Sequence, residues 1–84
     1  MNIISDLKNF LYEESFEELF KSLNTTESLL EKGIIDSVKM LELIAFLEKK
    51  YGIKVDDEDL YPENFDTLAA IENYVKSKMN EMPA

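Results

Sequence analysis

Apolar residues recur at every third or fourth position over most of this chain, and this period constrains the fold more than any other feature. An α-helix takes about 3.6 residues per turn, so this spacing places the apolar side chains along one face of a helix. The period is clear in residues 3–11, 15–23 and 68–79. Residues 38–52 add strong helix formers without an internal breaker. The sequence therefore predicts an all-α fold.

Capping residues indicate where these helices begin and end. Asn2 is a suitable N-cap for the first helix, and Ser15 with Glu18 has capping-box spacing at the start of the second. The sequence leaves open whether these two stretches form one helix or two. Gly52 is a C-terminal stop for the helix over 38–52, because glycine adopts the left-handed conformation that ends many helices.

The segments between the helices are predicted as a long loop and a short turn. Residues 24–36 predict the loop, because Gly33 breaks any helix there, and the pair Leu29-Leu30 is expected to anchor it in the core. The acidic segment IKVDDEDLYPENFDT is predicted to contain one helical turn at residues 56–60, and Pro62 interrupts this segment.

The C-terminal helix is predicted to begin near Asp66 or Thr67, and residues 80–84 are expected to fray. A chain of 84 residues is short enough for a single domain. We therefore predict one domain over residues 1–84, with a structured core over about residues 3–79. Its helices form a four-helix bundle with a long loop before residue 37.

Composition excludes several classes of active site. The chain has no cysteine and no histidine, so it lacks thiolate chemistry, disulfides, the commonest general base and the commonest zinc ligand. A pair of Ser37 with Lys39 is disfavoured, because residues two apart do not face each other on a helix. The acidic run 56–59 lacks the alternation, central glycine and closing glutamate of an EF-hand. A small enzyme or a metal protein is therefore disfavoured.

Hydropathy and charge predict the cellular location of the protein and the class of its partners. No apolar run approaches 18 residues, and the start MNIISDLKNF lacks the features of a secretory signal, so we expect a cytoplasmic protein without a membrane span. The net charge of −9 disfavours nucleic acid as a partner and favours proteins with basic patches. Residues 37–51 are the least acidic part, with two acids and three bases.

The dipeptide Asp36-Ser37 stands where the helix predicted over residues 38–52 begins. The simplest interpretation is that Asp36 is an N-cap and that Ser37 merely follows it. The context adds a second interpretation: a long loop with a glycine precedes the pair, and Ser37 is expected to face solvent. Because the N–H groups of a helix start favour an attached anion, a phosphodiester on Ser37 would be stabilised there.

The order and spacing of these features resemble the acyl and peptidyl carrier proteins. Three consecutive stretches carry the resemblance: GIIDS, VKMLELIAFLEKKYGIKV and DEDLYPENFDTLAAIENYV. The family's signature is a glycine, one or two variable residues, and Asp-Ser followed by an apolar residue. The resemblance covers roughly residues 3–79. It implies a four-helix carrier-protein bundle with a long loop between helices one and two and a short third helix.

The resemblance also implies a function. Ser37 would receive 4′-phosphopantetheine from coenzyme A through a phosphopantetheinyl transferase, and Asp36 would help that enzyme to bind metal and coenzyme A. The thiol of the arm would then hold acyl or aminoacyl groups as thioesters. An adenylating ligase or an acyltransferase would load them, and downstream biosynthetic enzymes would use them. Such a protein is a phosphoprotein without catalysis of its own, and we expect a monomer.

The resemblance assigns partner contacts to the helix after Ser37. Val38, Leu41 and Ala45 would form its exposed apolar side, and Glu42 and Glu48 match acidic contact positions. For Val38 and Leu41 the alternative is packing in the core. Three further residues of the helix are expected in the core: Leu43, Leu47 and Tyr51.

Departures from the family pattern bear on the cargo. Val38 stands where leucine or methionine is more usual. The helix after Ser37 carries three lysines, Lys39, Lys49 and Lys50, whereas the same helix of fatty-acid carriers is strongly acidic. The stretch YPENFDTL resembles stand-alone aminoacyl or peptidyl carriers. We therefore favour an aminoacyl or peptidyl carrier over a fatty-acid or polyketide carrier. A different class, an unmodified acidic helical adaptor that binds a protein, is the remaining alternative.

The apolar interior allows two interpretations. Residues Phe46, Leu47, Ile71 and Tyr74 could enclose an acyl chain, or they could be packed shut. Packing is the expectation for a chain of this size, since protein interiors are close-packed.

Overall fold

The computed structural model describes residues 2–12 and 23–81. Its elements in chain order are α1 (Ile3–Leu11), α2 (Ser37–Tyr51), a 3₁₀ turn (Asp57–Asp59), α3 (Pro62–Phe65) and α4 (Leu68–Glu81). No strand occurs in the two described ranges, so the prediction of an all-α fold is confirmed. The predicted helix over 15–23 lies outside the described residues except for Leu23, which is buried and not helical.

Helix α1 turns one apolar face towards the core. The side chain of Asn2 accepts a hydrogen bond from the N–H of Ser5 at 3.0 Å, which confirms Asn2 as the N-cap. Ile3, Leu7 and Leu11 follow at four-residue steps and are all buried. The apolar spacing of the sequence therefore predicts both the helix and its buried face.

Helix α2 is fixed at its C-terminal end by backbone geometry and by a contact with α1. Gly52 has φ +68° and donates its N–H to the carbonyl of Glu48 at 3.0 Å, which confirms it as the helix stop. The hydroxyl of Tyr51 donates to the carboxylate of Asp6 at 2.7 Å. Burial, and then this hydrogen bond, raise the pKa of Tyr51, so the phenol stays neutral at physiological pH.

The segment between α1 and α2 is attached to the start of α4. The N–H of Leu29 donates to the carbonyl of Asp66 at 2.7 Å, and the N–H of Ala69 donates to the carbonyl of Thr25 at 2.9 Å. Leu29 is fully buried, whereas Leu30 is exposed, so only one of the two predicted anchors enters the core. Consecutive residues of a helical turn point about 100° apart, which explains the difference.

The acidic segment after α2 is held against α4. Its predicted helical turn is present as the 3₁₀ turn Asp57–Asp59. The ammonium of Lys78 lies 2.8 Å from Asp56, and the hydroxyl of Tyr74 donates to Asp59 at 2.7 Å. Burial, and then the hydrogen bond to Asp59, raise the pKa of Tyr74 to about 12.

Pro62 corrects one prediction. It was expected to interrupt helical structure, and it instead begins α3. A proline is tolerated at the first helical position, because the N–H that it lacks has no partner within the helix there.

Helix α4 begins at Leu68, one residue after Thr67, whose side-chain oxygen accepts the N–H of Ala70 at 3.0 Å. The helix continues to Glu81, so the first two residues of the tail that was expected to fray are helical. Residues 82–84 lie outside the described range.

The described elements share one hydrophobic core, and none of the described charged or polar residues is buried in it. The core consists of Ile3, Leu7, Leu11, Leu23, Leu29, Ile34, Ile35, Leu43, Leu47, Tyr51, Ile53, Val55, Phe65, Leu68, Ile71 and Val75. Because the loop residues Leu29, Ile34 and Ile35 belong to it, the approach to α2 is fixed by burial as well as by hydrogen bonds.

Candidate functional site

Ser37 is the first residue of α2 and is exposed to solvent. The preceding Asp36 is extended, and its Oδ1 accepts the N–H of Lys39 at 2.8 Å. The first N–H groups of a helix have no partner within it, and together with the helix dipole they favour an anion. The hydroxyl of Ser37 therefore lies at an electropositive helix end, where a phosphate ester would be stabilised.

The chain reaches this helix end through a tight turn that Gly33 closes. Gly33 has φ +73° and donates its N–H to the carbonyl of Leu30 at 3.1 Å. Ile34 donates to the carbonyl of Leu29 at 3.0 Å, and these two bonds together form the Schellman arrangement that ends a helical turn. Ile34 and Ile35 are both buried. The predicted loop therefore contains a helical turn and two buried anchors directly before the Asp-Ser pair.

Two residues, Ser28 and Asp66, hold this turn, and the sequence predicts this role for neither of them. Ser28 Oγ accepts the N–H of Glu31 at 3.1 Å and donates to the carboxylate of Asp66, at 2.7 Å and 2.9 Å from its two oxygens. Ser28 and Glu31 have capping-box spacing, a sequence signal that predicts a helical turn. No local pattern points to Asp66, which lies 38 residues further along the chain.

The exposed face of α2 is apolar near Ser37. Val38 and Leu41 are each 65% exposed, and Ala45 is exposed on the same side one turn later. Packing of Val38 and Leu41 in the core, the alternative left open by the sequence, is therefore excluded. The opposite face of the helix holds the three predicted core residues, and all of them are buried: Leu43, Leu47 and Tyr51.

Charges near the start of α2 are largely compensated within the protein. The ammonium of Lys39 lies 4.7 Å from the centre of the Phe10 ring and 3.6 Å from the carboxylate of Glu42. Its side chain is only 26% exposed, whereas that of Glu42 is 57% exposed. Glu48 is half-buried and its Oε2 accepts the N–H of Val55 at 2.9 Å. Of the two acids matched to contact positions, Glu42 is thus the more accessible.

The described residues behind α2 that could enclose an acyl chain are buried or packed against other aromatic rings. Leu47 and Ile71 are fully buried, Phe46 stacks on Phe10 with ring centres 4.4 Å apart, and Tyr74 contacts Phe65 at 5.2 Å between ring centres. Surface cavities lie elsewhere: one of about 480 Å³ lies between the start of α1 and the end of α4, and another lies beside the turn that precedes Gly33.

The part of the chain that contains this site matches a known protein family. A family model described as "Phosphopantetheine attachment site" matches residues 14–75, which is well over half of the chain. The chain belongs to the acyl and peptidyl carrier protein family. The matched range contains Asp36-Ser37 and all of α2 and α3. The sequence-based recognition of the family is therefore confirmed, as is the prediction of a covalent 4′-phosphopantetheine arm as its prosthetic group.

A solved structure supports the same fold for this carrier protein. The similar chain belongs to a structure titled "Crystal structure of FAD-dependent dehydrogenase" and shares 29% sequence identity, with a TM-score of 0.66. The match covers 82% of the carrier protein and 97% of the solved chain, so the solved chain is about as short as this one.

Carrier domains of this family are in general not catalytic. Within residues 2–12 and 23–81, no group of three or more acidic residues is placed to hold a metal ion. Among the helices of the same ranges, none has the length and apolar character needed to cross a membrane.

Proposed function

We propose that this protein is a stand-alone carrier that holds acyl or aminoacyl groups as thioesters on a 4′-phosphopantetheine arm attached to Ser37. The observation that carries the proposal is the exposed Ser37 at the N-terminus of α2, next to Asp36, inside the range matched by the family model. The arm supplies the thiol that this cysteine-free chain lacks. The protein itself presents the serine and contacts the enzymes.

The attachment step has a defined role for the chain. A phosphopantetheinyl transferase joins the Ser37 oxygen to phosphorus, the pyrophosphate bond of coenzyme A breaks, and adenosine 3′,5′-bisphosphate leaves. A base on the transferase takes the hydroxyl proton. Asp36 uses Oδ1 for the cap at Lys39, while its Oδ2 accepts no hydrogen bond from the described residues. This second carboxylate oxygen suits the proposed contact with the metal ion and coenzyme A of the transferase.

The burial of the described residues behind α2, and the three lysines of this helix, favour a small aminoacyl or peptidyl cargo. A fatty-acyl chain would need space among Leu47, Ile71 and their neighbours, which are fully buried. The apolar face of Val38, Leu41 and Ala45 favours enzymes that contact α2 with apolar residues, and Glu42 adds one accessible charge. Glu48 would contribute less, because its carboxylate binds the backbone of Val55.

An adenylating ligase is the proposed loading enzyme for such a cargo. The test is to incubate the purified arm-bearing carrier with stand-alone amino-acid ligases and, in parallel, with a malonyl or fatty-acyl transferase. The intact mass of the carrier then shows which of the two cargo classes has been loaded. Loading by a ligase alone supports the aminoacyl assignment. Loading by the acyltransferase alone would assign the protein to the fatty-acid or polyketide carriers.

The similar solved structure suggests one class of downstream enzyme. A chain of similar fold and length occurs in a structure titled as an FAD-dependent dehydrogenase. A flavin dehydrogenase that removes two hydrogens from the carried acyl group, with reduction of its FAD, is therefore a candidate partner. Anaerobic bleaching of the flavin by the loaded carrier, without bleaching by the free acyl-pantetheine thioester, would support this partner. Equal bleaching by both would remove it.

The first test is intact-mass spectrometry of the purified protein after incubation with coenzyme A, Mg²⁺ and a promiscuous phosphopantetheinyl transferase. We expect a mass gain of one phosphopantetheine in the wild type and none in Ser37→Ala. The matched control is Ser77→Ala, because Ser77 is also exposed but lies inside α4. No gain on folded wild-type protein would favour the alternative function, an acidic adaptor that binds a basic partner without modification.

A cytoplasmic location and a monomeric state complete the proposal. Cell fractionation tests the location, and light scattering coupled to gel filtration tests the monomer.

A further inference from the structure

Asp66 follows α3 and contacts the turn that leads to Ser37 with three of its atoms. Its backbone carbonyl accepts the N–H of Leu29 at 2.7 Å, and its Oδ1 accepts the N–H of Leu30 at 2.9 Å. Both carboxylate oxygens lie within hydrogen-bonding distance of Ser28 Oγ, at 2.9 Å and 2.7 Å. Ser28 Oγ also accepts the N–H of Glu31. Asp66 and Ser28 thus bind all three N–H groups that open the turn.

The far end of the same turn leads directly to Ser37. The carbonyl of Leu29 accepts the N–H groups of Ile34 and Ile35, at 3.0 Å and 3.4 Å. Ile35 is buried and is separated from Ser37 only by Asp36. The hydrogen-bonded turn that Asp66 holds therefore extends to within two residues of the serine, although Asp66 itself does not contact it.

We infer that Asp66 is a positioning residue for the modification of Ser37, acting through Ser28 and the turn that Gly33 closes. This inference rests on the proposed function. It assigns to a side chain far away in sequence the task of holding the Asp-Ser pair in the conformation that the transferase binds. The buried side chains of Ile34 and Ile35 fix the position of the segment. The hydrogen bonds of the turn fix its backbone conformation.

The inference predicts a specific kinetic signature. If the turn loosens, the conformation that the transferase binds is only a fraction of the population, and the apparent affinity falls by that fraction. The KM of the transferase for the carrier then rises, while kcat at saturating carrier stays unchanged. A role limited to overall stability would move neither constant as long as the protein is folded.

The central variants are Asp66→Ala and Asp66→Asn. The alanine variant removes every side-chain acceptor, and we expect KM to rise about tenfold, the effect of one or two lost hydrogen bonds to a charged group. Asparagine keeps an oxygen in place of Oδ1, which accepts from both Ser28 and Leu30. It should therefore restore KM to within about threefold of wild type.

A double-mutant cycle tests whether Asp66 acts through Ser28. Ser28→Ala should also raise KM, and the double variant Ser28→Ala, Asp66→Ala should be little worse than Asp66→Ala alone. Residues that share a hydrogen bond are coupled, whereas independent residues give effects that multiply. Multiplied effects would overturn the route through Ser28.

Two control variants separate positioning from charge and from stability. Asp57→Asn removes one negative charge from an exposed carboxylate that accepts no hydrogen bond from the described residues. Gly52→Ala strains the other end of α2, where φ is +68°. Both should leave KM at the wild-type value at a temperature where far-UV circular dichroism reports folded protein.

The outcomes are distinct. A raised KM in Asp66→Ala, with rescue by asparagine and faster hydrogen exchange of the Ile34 and Ile35 N–H groups by NMR, supports the inference. An unchanged KM in Asp66→Ala, or an equal rise in Gly52→Ala, overturns it while wild-type modification still upholds the proposed function. A wild type that accepts no arm overturns the proposed function itself.

Discussion

At the scale of the residue, Gly33 is required for its backbone conformation and for no other reason. Its φ of +73° lies in the left-handed region, and a Cβ added there would meet no atom within 4 Å. The cost of a side chain at this position is therefore conformational strain without a steric clash.

Replacement of Gly33 gives a graded prediction. We expect Gly33→Ala to lower the free energy of unfolding by about 1 kcal/mol and Gly33→Asn by less, because asparagine tolerates the left-handed region better than alanine does. Urea unfolding measures both values. Equal destabilisation by the two variants would contradict a purely conformational role.

The structure confirms one of the two interpretations of the Asp36-Ser37 pair. The side chain of Asp36 accepts the N–H of Lys39, so Asp36 is the N-cap of α2. Capping and modification are compatible, because the cap uses one carboxylate oxygen and leaves Ser37 exposed. A helix cap at Asp36 is therefore no argument against the proposed modification of Ser37.

At the scale of the element, α2 has one buried face and one exposed apolar face. Leu43 is fully buried, whereas Leu41, two residues earlier, is 65% exposed. Leu43→Ala should lower the free energy of unfolding by about 2–5 kcal/mol, while Leu41→Ala should change it by less than about 0.5 kcal/mol.

The same pair of variants separates stability from partner contact. Leu41→Ala should reduce the efficiency of loading by the partner enzyme several-fold despite normal urea unfolding, since it removes an exposed apolar contact. If Leu41→Ala were loaded as efficiently as the wild type, the assignment of this face to partners would fail.

The acidic segment and α4 are joined by charges whose titration gives a pH prediction. The hydrogen bond from Lys78 lowers the pKa of Asp56 below its ordinary 3.8, and the same contact raises the pKa of Lys78. A lowered carboxyl pKa contributes stability above the unfolded value that is lost as pH falls through the folded value. A raised lysine pKa contributes stability below 10.5 that is lost at higher pH.

Asp56→Asn should therefore destabilise the protein most between about pH 5 and 9, with a difference from wild type that shrinks below about pH 4. The effect is small because Asp56 is exposed to solvent. Urea unfolding of the variant and of the wild type across the pH range measures this difference, and a constant difference for Asp56→Asn would refute the pairing.

At the scale of the whole molecule, the burial of the described core residues predicts where a cargo resides. Leu47 and Ile71 are fully buried, so a long acyl chain would enter only by opening the bundle. We expect octanoyl and acetyl forms of the arm-bearing protein to melt within about 1 °C of each other, whereas each 1 kcal/mol of stabilisation by a buried chain would raise Tm by about 4–8 °C.

Leu47→Ala supplies the matched control for this prediction. It creates a cavity in the apolar core, and an apolar ligand can occupy such a cavity. The octanoyl form of this variant should melt higher than its acetyl form. A comparable rise in the wild type would instead indicate that the native bundle encloses its cargo, which favours a fatty-acyl role.

Local sequence patterns predict α1, α2 and α4 and most of their ends. Asn2, Asp36 and Gly52 act within three or four residues of themselves, and apolar spacing selects a buried face for each helix, because helical hydrogen bonds are local. The order of such local features was also enough to identify the carrier family and to select Ser37 as the candidate attachment site.

The packing of the helices, in contrast, determines which of the remaining side chains face solvent and which bind one another. Leu29 and Leu30 are equivalent as letters, yet one is buried and the other exposed. Glu48 looks like a surface acid but binds the backbone of Val55. Asp66 meets Ser28 across 38 residues of sequence. Contacts of this kind depend on how helices pack, and no local period encodes them.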